Sequence, residues 1–530
     1  MAGHEVSDTK TAMQDIEPTK VDSEAARPSA EWAAGDIANV KLQDSSLDPA
    51  LRATGGNIVH YSDEDYARVL KKIDTHVLPL MCWIYMIQFA DKSSLNYSSL
   101  MGIKKDNHLN GYQYSWLGSI FYAGYIFWEF PTTFFLRRLP LGKYLSVNIV
   151  CWGVVLACHA ATSNWAGLMI SRCFLGGFEA TITPGFVLIT SMWYKQNEQA
   201  RRMGYWLACN GAASILGSLI AYGLSAVNHS ALAPWKILFL LFGLVTVVTG
   251  CFYLWYMPDN QLNAKFLTEE EKLIAVERIR DNFQGIGNRV WKWNQFWEAL
   301  RDPRTWLYGL YSLLMNIPNG GITVFGGVVI KSFGFDSRTS LLLSAPGGAV
   351  DIIAKLLFPW LSDYFMDRSL FSFIAILFPT LGCVLMTVIP LEHKGALLFG
   401  NYLISVAGAS WCLVMVLISN NTLGYTKKST VNTVQILGYA AGNWIGPQTF
   451  RSNDAPLYHT GKTVMAVLYG CSALVLVAIR VINIIENKRR DKVQAESGID
   501  LNDPEVQESI QRSKFMDLTD YEQPHFRYIL

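Results

Sequence analysis

The segment RCFLGGFEATITPGF, residues 172–186, carries the most information about the fold of this protein. It places the guanidinium of Arg172 and the carboxylate of Glu179 two helical turns apart in an otherwise apolar stretch. Charged groups inside a membrane lose their hydration and need partners or water within the protein. Gly176 and Gly177 allow a neighbouring helix to approach closely, and Pro184 predicts a bend. The segment therefore predicts a membrane helix with a polar centre, which is either a structural ion pair or part of a transport pathway.

The composition is typical of a membrane protein. Of the 530 residues, 51% are hydrophobic and 16% are charged, whereas soluble domains carry roughly 25% charged residues. The formal net charge of +1 gives no indication of nucleic-acid binding. The nine cysteines have the spacing of neither a disulfide framework nor a zinc site. The sequence contains no phosphate-binding loop and no nucleophile, metal or cofactor constellation, so we expect neither an enzyme nor a bound cofactor.

Apolar stretches long enough to cross a bilayer as helices recur along most of the chain. Six of them lie in residues 73–257 and six in residues 305–486, and a hydrophilic central loop, residues 258–304, separates the two groups. We therefore predict an all-α integral membrane protein with about twelve transmembrane helices in two six-helix halves. Residues 1–72 are polar and acidic and are predicted to be a disordered tail, and residues 487–530 form a second tail.

Basic residues predict how the helices are oriented. Arg137 and Arg138 follow the second span, and Lys488 follows the last one. By the positive-inside rule, both tails and the central loop are cytoplasmic. Asn228 then begins an extracellular glycosylation sequon.

The central loop has helical patterns of its own. Thr268 and Glu271 have the spacing of a capping box ahead of one amphipathic helix. A second amphipathic piece places Trp293 and Trp297 on one face. These helices lie on the membrane surface, or the loop is a solvated linker.

Several motifs are similar to those of a known transporter family. Leu168, Arg172 and Gly176 match the fourth-span pattern of the major facilitator superfamily. The loop motif of that family, which forms a cytoplasmic latch, is partly present in each half. Its matching residues are Gly142 and Lys143 after the second span, and Asp363 and Arg368 after the eighth.

The chain resembles one branch of that superfamily more closely, the fungal anion:cation symporters, to which allantoate permeases belong. This match extends over residues 73–485. It includes Asp91, Lys92, Gly124, Tyr125, Glu129, Pro131, Glu179, Pro184, Gly438, Tyr439, Gly442, Asn443, Gly446 and Pro447.

The resemblance implies a monomeric, proton-coupled importer that works by alternating access in a fungal plasma membrane. Its implied substrate is a small organic anion, namely allantoate or a related ureido or carboxylate nutrient. The alternative is export of a secondary metabolite or another organic acid. The fifth span contains Gly211, Gly217 and Gly223 without the glycine–proline dipeptide typical of antiporters in the superfamily, which favours uptake.

An anion in a transport cavity needs a cation to replace its lost hydration. Lys92 is the first candidate and Arg172 the second, unless Asp91 merely neutralises Lys92. Pro318, followed by two glycines, predicts a broken seventh helix that exposes backbone to the substrate. Further substrate-binding candidates, for which hydrogen bonding between helices is the alternative, are Asn316, Asn319, Gln435, Tyr439 and Asn443.

Proton coupling requires a carboxylate that is charged in one step of the cycle and neutral in another. Glu179 is the first candidate for this role and Asp91 the second, with Glu129 also eligible. Asp351 precedes Lys355 by four residues, which is the spacing of an ion pair within one helix and favours a structural role.

Overall fold

The computed structural model describes residues 61–227, 231–284, 291–497, 518–523 and 525–530. These residues form helices and turns and include no β-strand. The sequon at Asn228 and most of the predicted tail, residues 1–72, lie outside the described residues.

The first half is built from helices that traverse the bundle and from short helices between them. The fourth span is divided between α6 and α7 by an interruption at Ala180 and Thr181, a few residues before Pro184, where the sequence predicts a bend. Pro184 lies in the first turn of α7, where the missing N–H costs no helical hydrogen bond. The helices are α1 (Asp63–His76), α2 (Leu78–Leu100), α3 (Ile103–Asp106), α4 (Gly111–Arg138), α5 (Leu141–Cys158), α6 (Trp165–Glu179), α7 (Ile182–Trp193), α8 (Gln196–Leu224) and α9 (Pro234–Tyr256).

Two helices of the central loop and the second half follow. They are α10 (Glu269–Gln284), α11 (Trp293–Arg301), α12 (Pro303–Ser332), α13 (Ser337–Leu342), α14 (Ala345–Phe365), α15 (Arg368–Val388), α16 (Lys394–Ile404), α17 (Ala407–Asn421), α18 (Tyr425–Ile445) and α19 (His459–Ser497). The last of these helices continues beyond residue 487, where the sequence predicts the tail to begin.

The prediction of a broken seventh helix is wrong, because α12 is continuous through Pro318. The glycines after the proline allow close packing instead. A Cβ atom at Gly320 would lie 2.6 Å from the carbonyl oxygen of Asn443 on α18. The two helices therefore pack backbone to backbone at this point.

Among the described residues, nine helical segments are long and apolar enough to cross a membrane. Helices α2, α4 and α18 complete the twelve predicted spans but are less apolar. They carry polar and charged residues such as Asp91, Lys92 and Lys427. These three spans supply Lys92, Tyr122 and Tyr439 to the boundary between the halves.

The two helices of the central loop attach to different halves. The predicted capping box of α10 is confirmed, since the Glu271 carboxylate accepts a hydrogen bond from the Thr268 N–H at 3.0 Å and the Thr268 hydroxyl accepts one from the Glu271 N–H at 3.3 Å. Glu271 also pairs with Lys72 on α1 at 2.7 Å. By contrast, Gln295 on α11 accepts a hydrogen bond from the N–H of Thr426 at the start of α18. We call the end of the bundle that carries α10 and α11 the linker end.

Candidate functional site

The bundle is closed at the end opposite the linker end. There the hydroxyl of Tyr114 on α4 lies 3.0 Å from the carbonyl oxygen of Leu95 and 2.9 Å from that of Val324 on α12. Ser119 donates a hydrogen bond of 2.7 Å to the carbonyl of Trp444 on α18. Helices of the first half are thus bonded directly to helices of the second.

A cleft opens between α4, α7 and α18 in their linker-end portions. Its volume is about 510 Å³. Glu129 and Thr133 line it from the first half and Asn432 and Ala440 from the second. Ala440 follows Tyr439, so the cleft reaches the level of the predicted substrate-binding residues.

Lys92 is a half-buried cation at the boundary between the halves. Its Nζ atom donates a hydrogen bond of 3.2 Å to the hydroxyl of Tyr439 on α18. The same atom lies 4.6 Å from the ring centroid of Tyr122 and 5.7 Å from that of Phe121. Within the described part of the chain, Lys92 forms no ion pair with a carboxylate. Its charge is stabilised by aromatic rings, which an incoming anion can supplement.

Asp91 points away from its neighbour in the sequence. One of its carboxylate oxygens, Oδ2, accepts a hydrogen bond of 3.1 Å from Thr246 on α9. The other oxygen, Oδ1, is buried and has no hydrogen-bond partner among the described residues. The carboxylate therefore contacts α9, while the ammonium of Lys92 contacts α18.

Arg172 and Glu179 are both buried but do not form an ion pair with each other within the described residues. The guanidinium carbon of Arg172 lies 5.5 Å from the ring centroid of Phe239, and its Nε and Nη2 atoms lack hydrogen-bond partners. Glu179 lies at the end of α6, and its Oε1 atom also lacks a partner. Two buried groups with unsatisfied polar atoms are costly, which is typical of a site that binds solute, protons or water.

Three of the predicted substrate-binding amides bind one another. Asn319 on α12 donates to Asn443 on α18 at 2.9 Å, and Asn443 donates to Asn316 on α12 at 3.2 Å. This chain of amides stabilises the contact between α12 and α18. Gln435 differs from them, because its Nε2 atom is buried without a partner among the described residues.

Several residues of this region are absent from the sequence-based prediction. They are aromatic or hydroxyl side chains with the spacing of residues that simply pack between helices. The sequence therefore contains no signal that distinguishes them from such packing residues. The ring of Tyr439, for example, lies 6.3 Å from that of Tyr122 and 5.6 Å from that of Trp411. The residues missed are Phe121, Tyr122, Phe239, Thr246 and Trp411.

The two loop motifs have different surroundings. In the first half, the backbone N–H of Lys143 donates to Asp259, which follows the sixth span, at 3.1 Å. Asp259 is also 3.0 Å from the position that a Cβ atom of Gly142 would occupy. In the second half, Asp363 is 73% exposed and lies 3.4 Å from Arg368. Asp259, a carboxylate of the central loop, thus caps the start of α5. The family motif instead has an aspartate of its own in the loop that precedes this helix.

The other eligible carboxylates also have defined surroundings. The predicted pair of Asp351 and Lys355 is confirmed at 2.7 Å. Glu129 is half-buried, and its Oε2 atom has no hydrogen-bond partner in the described chain. The described residues contain no group of three or more His, Cys, Asp or Glu residues that could hold a metal ion.

Comparisons with known proteins agree with this architecture. The sequence model of the Major Facilitator Superfamily matches residues 81–447. An uncharacterized transporter of Schizosaccharomyces pombe is 40% identical over 88% of this chain and 90% of its own length. The allantoate permease of Saccharomyces cerevisiae is 38% identical over 93% of this chain and 96% of its own length. The solved structure of the xylose transporter XylE from E. coli superimposes with a TM-score of 0.60 over 78% of this chain and 98% of its own, and at 12% identity this likeness shows the fold alone.

Proposed function

This chain belongs to the major facilitator superfamily, and on that premise we propose that it imports a small organic anion together with protons by alternating access. Its relatives are transporters, so it is a multi-pass membrane protein that moves a small molecule and is not an enzyme. The proposed substrate is allantoate or a related ureido or carboxylate nutrient, because the similar allantoate permease covers almost the whole chain.

The observation that carries the proposal is the environment of Lys92. This cation is held between the halves by aromatic rings and one hydroxyl, with no carboxylate bound to it among the described residues. An anion that replaces the Tyr439 hydroxyl would gain a charge-assisted hydrogen bond and would compensate for its lost hydration. Because Lys92 and Tyr439 belong to different halves, binding of the anion would change the contact between the halves.

Glu179 and Asp91 are the proposed proton carriers. Each has one buried carboxylate oxygen without a hydrogen-bond partner in the described structure. A proton on that oxygen would lower the free-energy cost of burying the carboxyl group, and loss of the proton would restore a negative charge inside the protein. Proton binding and anion binding would therefore depend on each other.

The remaining parts of the proposal concern topology. We place residues 73–257 and 305–486 as the moving halves and residues 258–304 as the cytoplasmic link between them, so that the linker end faces the cytoplasm. The monomer would be the working unit, in contact with lipid at the plasma membrane. Exposed indole rings on α11, including Trp293 and Trp297, would lie at the cytoplasmic interface.

Uptake of labelled allantoate by cells that lack their own carrier tests the proposal. We expect accumulation that increases at acid external pH and is abolished by a protonophore. A lack of accumulation despite normal protein at the cell surface would contradict the assignment of this substrate. Preloaded cells that contain the protein could instead lose label faster than cells without it and show no net uptake. That result would support export of an organic acid.

A further inference from the structure

The last residues of the chain bind to the linker end of the second half. We call residues 518–530, of which residue 524 is not described, the C-terminal segment. Tyr528 and Asp520 in it are almost completely buried. The carbonyl oxygen of Leu530 accepts a hydrogen bond of 2.6 Å from the N–H of Arg368 at the start of α15. The segment thus occupies a defined binding surface.

Asp520 is the centre of this contact. One of its oxygens lies 2.7 Å from Nζ of Lys427, the third residue of α18. The other lies 3.1 Å from the guanidinium of Arg304 on α12 and accepts a hydrogen bond of 2.6 Å from Tyr528. One carboxylate therefore joins two buried cations of two different helices. The contact with Lys427 is an ion pair, and the bonds from Arg304 and Tyr528 are charge-assisted hydrogen bonds, which are stronger than neutral ones.

Polar contacts with three more helices surround this centre. Asn487 on α19 exchanges two hydrogen bonds with the backbone of Tyr528, at 2.8 and 2.9 Å. Asn421 at the end of α17 makes the equivalent pair with Ile529, at 2.8 and 2.7 Å. Thr519 donates to Glu298 on α11 at 3.1 Å. Paired amide-to-backbone bonds of this kind bind an extended peptide.

The C-terminal segment also acts on the helix that carries the candidate site. Lys427 and Tyr439 lie on the same unbroken helix, α18, at a separation of about 18 Å along its axis. Tyr439 is the residue that bonds Lys92 across the halves. Because α18 is one rigid helix, a change in its contacts at the linker end also affects the contact between the halves at Tyr439.

We propose that the C-terminal segment is a tethered regulatory ligand of the linker end. When bound, it fixes α11 and the start of α18 to the second half. When released, it leaves α18 freer to move and changes the rate at which the halves exchange positions. Lys427 retains Glu298 at 2.9 Å and Asp302 at 3.4 Å without Asp520, so release does not leave this cation unpaired.

Cleavage of the full-length protein tests the binding directly and does not depend on the identity of the substrate. A specific protease site is inserted between residues 498 and 517, and the purified protein is cut and passed over a sizing column. We expect the C-terminal fragment to stay with the membrane domain, and the Asp520→Asn variant to lose it. Asp491→Asn, which removes only a rim contact of 2.7 Å with Arg527, is the matched control and should retain the fragment. A fragment that separates from the unsubstituted protein would overturn the proposal.

Hydrogen exchange tests the effect on α18 in the uncut protein. We expect amides of residues 425–431 to exchange about tenfold faster in Asp520→Asn, as loss of a charge-assisted bond implies. The Asp491→Asn control should match the unsubstituted protein. In cells, Asp520→Asn should change the maximal transport rate, because the rate at which the halves exchange positions is altered. Unchanged exchange together with an unchanged rate, at equal surface level, would refute the regulatory role even if the fragment binds.

Discussion

The ammonium group of Lys92 on α2 lies 3.2 Å from the hydroxyl group of Tyr439 on α18, although the two residues are 347 positions apart in the sequence. This hydrogen bond connects the two halves. Under the proposed function, an anion bound at this boundary would compete with the Tyr439 hydroxyl for the ammonium group of Lys92.

Replacing Lys92 should separate the role of its charge from that of its hydrogen bond. We expect Lys92→Gln to lower the ratio of maximal uptake rate to KM about 100-fold, because a charge-assisted bond to the anion is lost. Tyr439→Phe should change KM by no more than about tenfold, since the aromatic surroundings remain. Lys105→Gln, at an exposed lysine, is the control. Normal uptake by Lys92→Gln at equal surface level would exclude Lys92 from substrate binding.

Neutral replacements of the buried carboxylates should uncouple transport from protons. In Glu179→Gln we expect loss of accumulation against a gradient, while exchange of labelled for unlabelled substrate continues, because a permanently neutral side chain binds no coupled proton. Asp91→Asn should behave similarly but also weaken the bond to Thr246. Counterflow and protonophore-sensitive uptake measured on the same cells distinguish these outcomes. Undiminished accumulation by Glu179→Gln would assign the proton to another group.

The amide chain between α12 and α18 should matter for stability. Asn443→Ala removes hydrogen bonds to Asn319 and Asn316, and we expect it to cost about 1–3 kcal/mol. Thermal unfolding in detergent should show a lower midpoint. Asn432→Ala, at the cleft, should leave the midpoint unchanged. A changed KM with an unchanged midpoint in Asn443→Ala would instead indicate substrate contact.

Close packing of α4 and α6 should make Gly176 intolerant of any side chain. A Cβ atom there would overlap the carbonyl oxygen of Phe121, and overpacking of this kind costs about 1–3 kcal/mol or more. We expect Gly176→Ala to reduce both thermal stability and surface level. Gly204→Ala is the matched control, since a Cβ atom there has no neighbour within 4 Å. Equal stability of the two variants would contradict the packing described.

The attachment of α10 should be insensitive to mild acid. Hydrogen bonds from Lys72, and then from the backbone of Thr268, hold the pKa of Glu271 below its usual value. A carboxyl group with a lowered pKa stabilises the fold above its ordinary pKa, and this contribution is lost only as the pH falls through the lowered value. We therefore expect Glu271→Gln to lower the unfolding midpoint equally at neutral pH and in mild acid. The change should correspond to at most about 1 kcal/mol, because the Lys72 side chain is partly exposed to solvent. The difference between variant and parent should disappear only in strong acid, and a difference that already disappears in mild acid would contradict the lowered pKa.

Much of the fold follows from the sequence alone. Hydropathy is a local property, so a window of about 20 residues indicates a span wherever it is apolar. The capping box of α10 and the pair of Asp351 and Lys355 involve residues three or four positions apart and are equally local. The interruption after Glu179 was expected because Pro184 is close to it.

The partners of the charged groups were decided by the tertiary structure. Arg172 and Glu179 share one span and could have paired, yet the guanidinium lies against Phe239 and the carboxylate has an unbonded oxygen. Lys92 contacts Tyr439, and Lys427 contacts Asp520, across large distances in the sequence. A buried charge pairs with the groups that helix packing brings within a few ångströms of it. Leaving the charge without a partner costs more free energy than an interaction with residues nearby in the sequence can offset. The sequence therefore determined where the helices cross the membrane, and only their packing decided which charges remain available for function.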